Sequence, residues 1–187
     1  YKDSMLKYGT DKPDLRNPIE IFDVTEVIKR KDVKLDIFKK LIAKGSIVRA
    51  IPSPKTSLKS RSFFDEFNNW AIEEGAKGLG YITFEKKDEK IIGKGPIAKF
   101  FSEKAIAELI KICNLKENDS VFFSCDARKN AERISGLVRQ KLGQELNLID
   151  NNKFEFCWIV DFPMYKYDEK EKKIDFSHNP FSMPQTN

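Results

Sequence analysis

The chain holds one histidine, His178, and it stands in a proline-bracketed loop, Ser177-His-Asn-Pro-Phe-Ser-Met-Pro184. An imidazole changes charge near neutral pH and can donate or accept a hydrogen bond, so it suits recognition of a carboxylate. Phe176 and Pro180 flank it at a strand end, which makes a rigid mount for a ligand contact. Taken alone, such a histidine is more often a structural residue satisfied by backbone groups, because function belongs to a site and not to a composition. Its neighbour Asn179 keeps a donor and an acceptor but cannot become cationic.

A second polar group lies near the start, in Tyr8-Gly-Thr-Asp-Lys-Pro-Asp-Leu-Arg16. Asp11, Lys12, Asp14 and Arg16 alternate in sign, which on its own describes a solvated turn with weak pairs. Asp161 precedes Phe162-Pro163 at the end of an apolar run and reads as a structural acid facing backbone donors or an arginine. Gly93-Lys-Gly95 lacks phosphate-loop spacing, and Pro96 removes an amide donor. Cys113, Cys125 and Cys157 are widely spaced with no Cys-x-x-Cys, so zinc is disfavoured. Their apolar flanks read as three buried, reduced thiols and hence a cytosolic chain. Lys55, Lys59, Arg61, Lys86, Lys87, Lys90 and Lys94 fall in loops. They contact RNA phosphates only if the fold brings them to one face; otherwise they are simply solvated.

The elements that must position these groups alternate along the middle of the chain. Ile19–Asp23 reads as a strand, followed by a short helix or turn over Val24–Arg30. A helix over Leu35–Lys44 has apolar spacing and stops at Gly45. Ile47–Ile51 is a strand stopped by Pro52 and Pro54. Ser60 or Ser62 caps a helix with Phe63, Phe67, Trp70 and Ala71 on one face, core residues sooner than a base-stacking platform. Leu79–Phe84 alternates as a strand, then a charged turn over Glu85–Lys90 leads into Ile91-Ile92. Pro96 opens a short helix. Ser102 caps a helix with Ile106, Leu109, Ile110 and Cys113, and Val121–Cys125 is a strand. Asp126 caps a long helix closed by Gly143. The continuous apolar run Phe154–Val160 reads as a strand buried on both faces, pairing with Ile174–Ser177. The fold class is α+β: a two-layer sandwich with a mixed or antiparallel sheet, helices on one face, and a flanking β-hairpin.

Composition sets outer limits. The 187 residues include 15 Phe and are 40% hydrophobic, enough for one core plus an appendage. The net charge of +5 is mild, with 34 basic residues set against 29 acidic ones, and permits nucleic-acid contact without requiring it. No apolar run reaches membrane length, and Tyr1–Lys7 is too polar for a signal peptide. A chain that opens without Met, inside what reads as a helix, is expected to be a cut piece.

Phe156-Cys-Trp-Ile-Val-Asp161-Phe-Pro-Met164 and the His178 loop, taken with Tyr8–Arg16, resemble bacterial-type aspartyl-tRNA synthetases. In that family these pieces flank an insertion in the class II catalytic domain, the GAD domain. Gly75-Ala-Lys-Gly-Leu79, Lys94-Gly-Pro-Ile-Ala-Lys-Phe100 and Leu137-Val-Arg-Gln-Lys-Leu-Gly143 are similar to its internal motifs. The resemblance implies a GAD domain over 18–149, with catalytic-domain flanks at 1–17 and 150–187. It implies a parent enzyme, cytoplasmic and homodimeric, that forms aspartyl-adenylate from L-aspartate and ATP with Mg2+. That enzyme then transfers aspartate to tRNA, either tRNA-Asp alone or tRNA-Asn as well. His178 would contact L-aspartate, and Asn179 would join it where many members carry a second histidine. The Asp11–Arg16 turn would order the junction near the active-site rim. No catalytic residue or metal ligand is assigned to this chain. Alone it is expected to be inactive and to bind neither ATP nor Mg2+. The alternative is a tRNA- or protein-docking module related to the GAD domain of tRNA-dependent amidotransferases, against which the two flanking motifs argue.

Overall fold

A computed structural model describes residues 1–168 and 171–177. Five strands form one antiparallel sheet in the order β1-β2-β5-β3-β4. They are β1 (Phe22–Asp23), β2 (Ile47–Ser53), β3 (Leu79–Lys87), β4 (Lys90–Lys94) and β5 (Ser120–Asp126). The helices are α1 (Lys2–Tyr8), α2 (Thr25–Lys29), α3 (Asp36–Ile42), α4 (Arg61–Glu73), α5 (Glu103–Ile112) and α6 (Arg128–Glu145). A separate hairpin pairs β6 (Tyr165–Asp168) with β7 (Lys173–Phe176). The α+β class, the antiparallel sheet and the flanking hairpin agree with the sequence expectation.

The placement of the helices needs a correction. They cover both faces of the sheet, not one. Every residue of the central strand β5 is buried. Val121, Phe123 and Cys125 face a core with α2, α3 and α5, while Phe122 faces another with α4 and α6. Alternate residues of a strand point to opposite faces. The apolar run Val121-Phe122-Phe123 therefore demands cover on both sides.

Local chemistry explains most boundaries. Ser102 caps α5 by accepting from the Ala105 amide at 3.1 Å. Ser60 stands at the start of α4, but its hydroxyl bonds Ser62 at 2.6 Å and not a helix amide. β2 does not stop at Pro52; it runs on to Ser53. β1 pairs only with Arg49 and Ala50, so beyond Ala50 that side of β2 is an open edge, where a proline costs no ladder bond. α6 also runs through Gly143 to Glu145; glycine serves there as a packing residue and not as a stop, because Asn17 occupies the space a side chain would fill.

The Phe154–Val160 segment is a second correction. It forms no strand, and Ile174–Ser177 has a different partner: Tyr165 pairs with Phe176 and Tyr167 with Ile174. Phe154, Phe156 and Trp158 are 84%, 90% and 94% exposed. Cys157 within this segment is exposed too, so only Cys113 and Cys125 are the buried thiols expected of all three.

Candidate functional site

Among the described residues, the most elaborate polar arrangement joins residues 8–19 to α6. Arg139 lies on α6 and is 3% exposed. Its Nε donates to the Ile19 carbonyl at 2.6 Å, and its Nη2 donates to the carbonyls of Asp14 at 2.9 Å and Asn17 at 2.7 Å. The guanidinium also sits 4.8 Å from the centre of the Tyr8 ring. Asn17 reciprocates: its side-chain amide donates to the Arg139 carbonyl at 2.9 Å, and its oxygen accepts from the Ile19 amide at 3.1 Å. Burial lowers the pKa of Arg139, while the Tyr8, Asp14 and Glu20 side chains act in the opposite direction. A guanidinium's fixed fork suits this job, since three carbonyls of an irregular segment cannot pair with each other.

Glycines bring the two backbones close enough for that network. Gly9 ends α1 in the left-handed conformation at φ 69°. It lies against Gly136, and Gly143 lies against Asn17. Glu132, Gly136, Arg139 and Gly143 are spaced four, three and four apart, so they form one stripe along α6. The neighbouring face, with Ala131, Ile134, Val138 and Leu142, is buried in the core.

The Asp11–Arg16 turn is drawn into this junction. Asp14 takes a bidentate pair from Arg16, at 2.9 Å from Nε and 2.8 Å from Nη2. That hydrogen bonding holds the Asp14 carboxyl below its ordinary range, despite an opposing effect of burial. Lys12 pairs only with its neighbour Asp11, at 3.5 Å and mostly exposed, which carries little energy. Asp161 lines a groove of about 610 Å³ beside α1, together with Tyr8, Leu15, Trp158 and Val160. His178 and Asn179 lie outside the described residues.

Two further ties converge on α6. Arg49, 1% exposed on β2, pairs with Asp23 at 2.6 Å and with Glu132 at 3.2 Å. Lys77, in the Gly75–Leu79 motif, pairs with Asp126 at 2.7 Å, and Asn130 donates to the other Asp126 oxygen at 2.8 Å. Burial alone would raise the Asp126 pKa; the Lys77 and Asn130 bonds and the Ala127 amide outweigh it and lower it. Arg49 and Arg139 carry no local signature in the sequence. Glycine in a helix interior costs about 1 kcal/mol against alanine. Gly136 and Gly143 one heptad apart were thus the readable sign of a close neighbour. Chemically the whole arrangement is a fastening of one chain segment to one helix.

A family model described as GAD domain matches residues 38–135. An aspartate–tRNA(Asp/Asn) ligase of Wolbachia pipientis subsp. Culex pipiens is 56% identical over 185 residues, covering 98% of this chain and 30% of the ligase. The enzyme of the same name from Beijerinckia indica subsp. indica is 53% identical over 185 residues, covering 99% of this chain and 31% of that one. That from Pelagibacter ubique is 52% identical, with the same two shares. The chain thus spans roughly 30% of the length of the curated relatives it matches.

Proposed function

The chain belongs to the GAD domain family, and on that premise we propose that it is the GAD-bearing segment of an aspartate–tRNA ligase. The observation that carries the reading is the extent of the identity. It runs across 98% to 99% of the chain, past both limits of the GAD match at residues 38 and 135. A docking module built on GAD alone has no reason to share the flanks. The parent enzyme joins L-aspartate to ATP, releasing pyrophosphate, and moves aspartate from the adenylate to tRNA. Its relatives are named for both tRNA-Asp and tRNA-Asn, and the same pair of acceptors is proposed here.

Within that reading, 18–149 is the insertion and 1–17 and 150–187 are catalytic-domain flanks. The Arg139 junction holds the first flank against the insertion's closing helix. His178 and Asn179 belong to the aspartate site. ATP and Mg2+ are substrate and cofactor of the whole ligase, a cytoplasmic homodimer. The sequence carries no class II ATP-binding arginine motif, and among the described residues no three His, Cys, Asp or Glu side chains gather as metal ligands. Among the described residues no helix is long and apolar enough to cross a membrane.

The test is His178→Ala in the full-length ligase, read by aspartate-dependent pyrophosphate exchange. Losing a hydrogen bond to a charged group costs about 1.5–3 kcal/mol. Aspartate use should fall by that amount while the KM for ATP stays level. Unchanged aspartate KM and kcat would make His178 structural. Absence of any aspartate-dependent exchange in the wild-type protein would return the chain to the docking-module reading.

A further inference from the structure

The fold gathers at one end of the sheet basic segments that are far apart in sequence. Ser53, Ser120 and Thr83 stand in register on neighbouring strands. The loop after β2, the turn before β5 and the overhanging β3–β4 hairpin therefore share that end. They are stitched there: the Lys55 amide donates to Asp119 Oδ1 at 3.0 Å, the Ser57 amide to the Asn118 carbonyl at 3.0 Å, and the Phe84 amide to the Asp119 carbonyl at 2.8 Å.

Lys55 and Lys59 lie exposed on the first loop and Arg61 at the first position of α4, with no acidic residue between Pro54 and Phe64. The carboxylates nearby are largely committed. Asp119 is 9% exposed and accepts from the amides of both Lys55 and Lys116. Glu85 pairs with Lys94 at 2.6 Å. Asp65 reaches Arg61 only at 3.4 Å, in the open, where such a pair is weak. Asp88 and Glu89 sit at the hairpin tip and Glu117 in the turn, beside Lys87, Lys90 and Lys116. At the crest of the loop Leu58 is 86% exposed, and the Ser60 and Ser62 hydroxyls, bonded to each other at 2.6 Å, lie beside it, while the Ser57 hydroxyl is buried.

We propose that the Lys55–Ser60 loop, together with the first turn of α4, is a docking surface for the RNA backbone. Three exposed cations without an intervening acid match a run of phosphodiesters. A large exposed apolar side chain among them fits a macromolecule's ribose surface, not a small free anion. The choice of RNA over an acidic protein rests on the ligase reading, which supplies tRNA as the polyanion at hand.

The experiment uses full-length ligase and in vitro transcribed tRNA-Asp, titrated at several salt concentrations. A Lys55→Ala/Lys59→Ala/Arg61→Ala variant should bind the tRNA more weakly. The slope of log affinity against log salt should fall by about one for each phosphate no longer neutralised. Aspartate-dependent pyrophosphate exchange, which needs no tRNA, should be unchanged. Lys59→Arg, which keeps the charge, should retain wild-type affinity and slope. Unaltered affinity and slope in the triple variant, with exchange intact, would overturn the proposal while leaving the ligase reading in place. A wild-type protein with no exchange would instead overturn that reading.

Discussion

Gly9 and Gly136 meet backbone to backbone where the end of α1 crosses α6. A methyl group on Gly9 would stand 2.4 Å from the Glu132 carbonyl oxygen and 2.5 Å from the Gly136 nitrogen. One on Gly136 would stand 2.8 Å from the Gly9 carbonyl oxygen. Both partners are backbone, so neither can swing aside.

Gly136→Ala sets two effects against each other. Helix propensity favours alanine by about 1 kcal/mol. Forcing a methyl into a filled space costs about 1–3 kcal/mol. The clash should prevail, and urea unfolding should show net destabilisation. A variant more stable than wild type would mean that the α1–α6 packing opens freely and does not hold the junction.

Arg139→Lys tests whether the junction needs a planar fork. An ammonium on a flexible stem cannot match Nε and Nη2 to three carbonyls at once. The change should cost at least one charged hydrogen bond, about 1.5–3 kcal/mol. Arg139→Ala should cost no less, since the carbonyls of Asp14, Asn17 and Ile19 would then have no guanidinium donor. Full stability in the lysine variant would show that charge alone suffices.

The carboxylates at the ties make stability acid-sensitive. Asp126, bonded to Lys77, and Asp14, bonded to Arg16, both have pKa values below the ordinary 3.8. A depressed folded pKa adds stability above the ordinary value and loses it as pH falls through the folded one. Stability should hold in the neutral range and decline below 3.8. Asp126→Asn should lower the neutral plateau and shrink the difference between urea midpoints at pH 6 and pH 3. An unchanged difference would remove Asp126 as a contributor.

What the sequence made legible followed local rules. The Ser102 cap, the apolar spacing of α5 and the alternation along β3 depend on neighbours in the chain, so they could be read from it. The two-sided cover of the sheet was readable in Val121-Phe122-Phe123 but needed the central place of β5 to interpret. Arg139 and Asn17 were not readable, because their partners lie more than 100 residues away. A lone arginine in an amphipathic helix looks like any exposed one. Phe154–Val160 erred the other way: its composition suits a buried strand, but a strand also needs an edge to pair with.

That segment gives the last prediction. Phe154, Phe156 and Trp158 stand at alternate positions and turn their rings to solvent in the 187-residue chain. Burying apolar area stabilises by about 25 cal/mol per Å², and side chains this exposed contribute almost none of it. Removing residues 154–187 should therefore leave the melting temperature nearly unchanged and raise solubility, because a large apolar patch is gone. Cys157 offers a check without truncation. Its thiol is exposed, whereas burial pushes Cys113 up to about 12 and Cys125 to about 11. The thiolate is the reactive form, so near pH 8 an alkylating reagent should label Cys157 quickly and the other two only on unfolding. On the proposed reading, the rest of the full-length ligase should cover the strip and protect Cys157. A large drop in melting temperature on truncation, or equal labelling of all three thiols in the native chain, would mean that the segment is packed into the core.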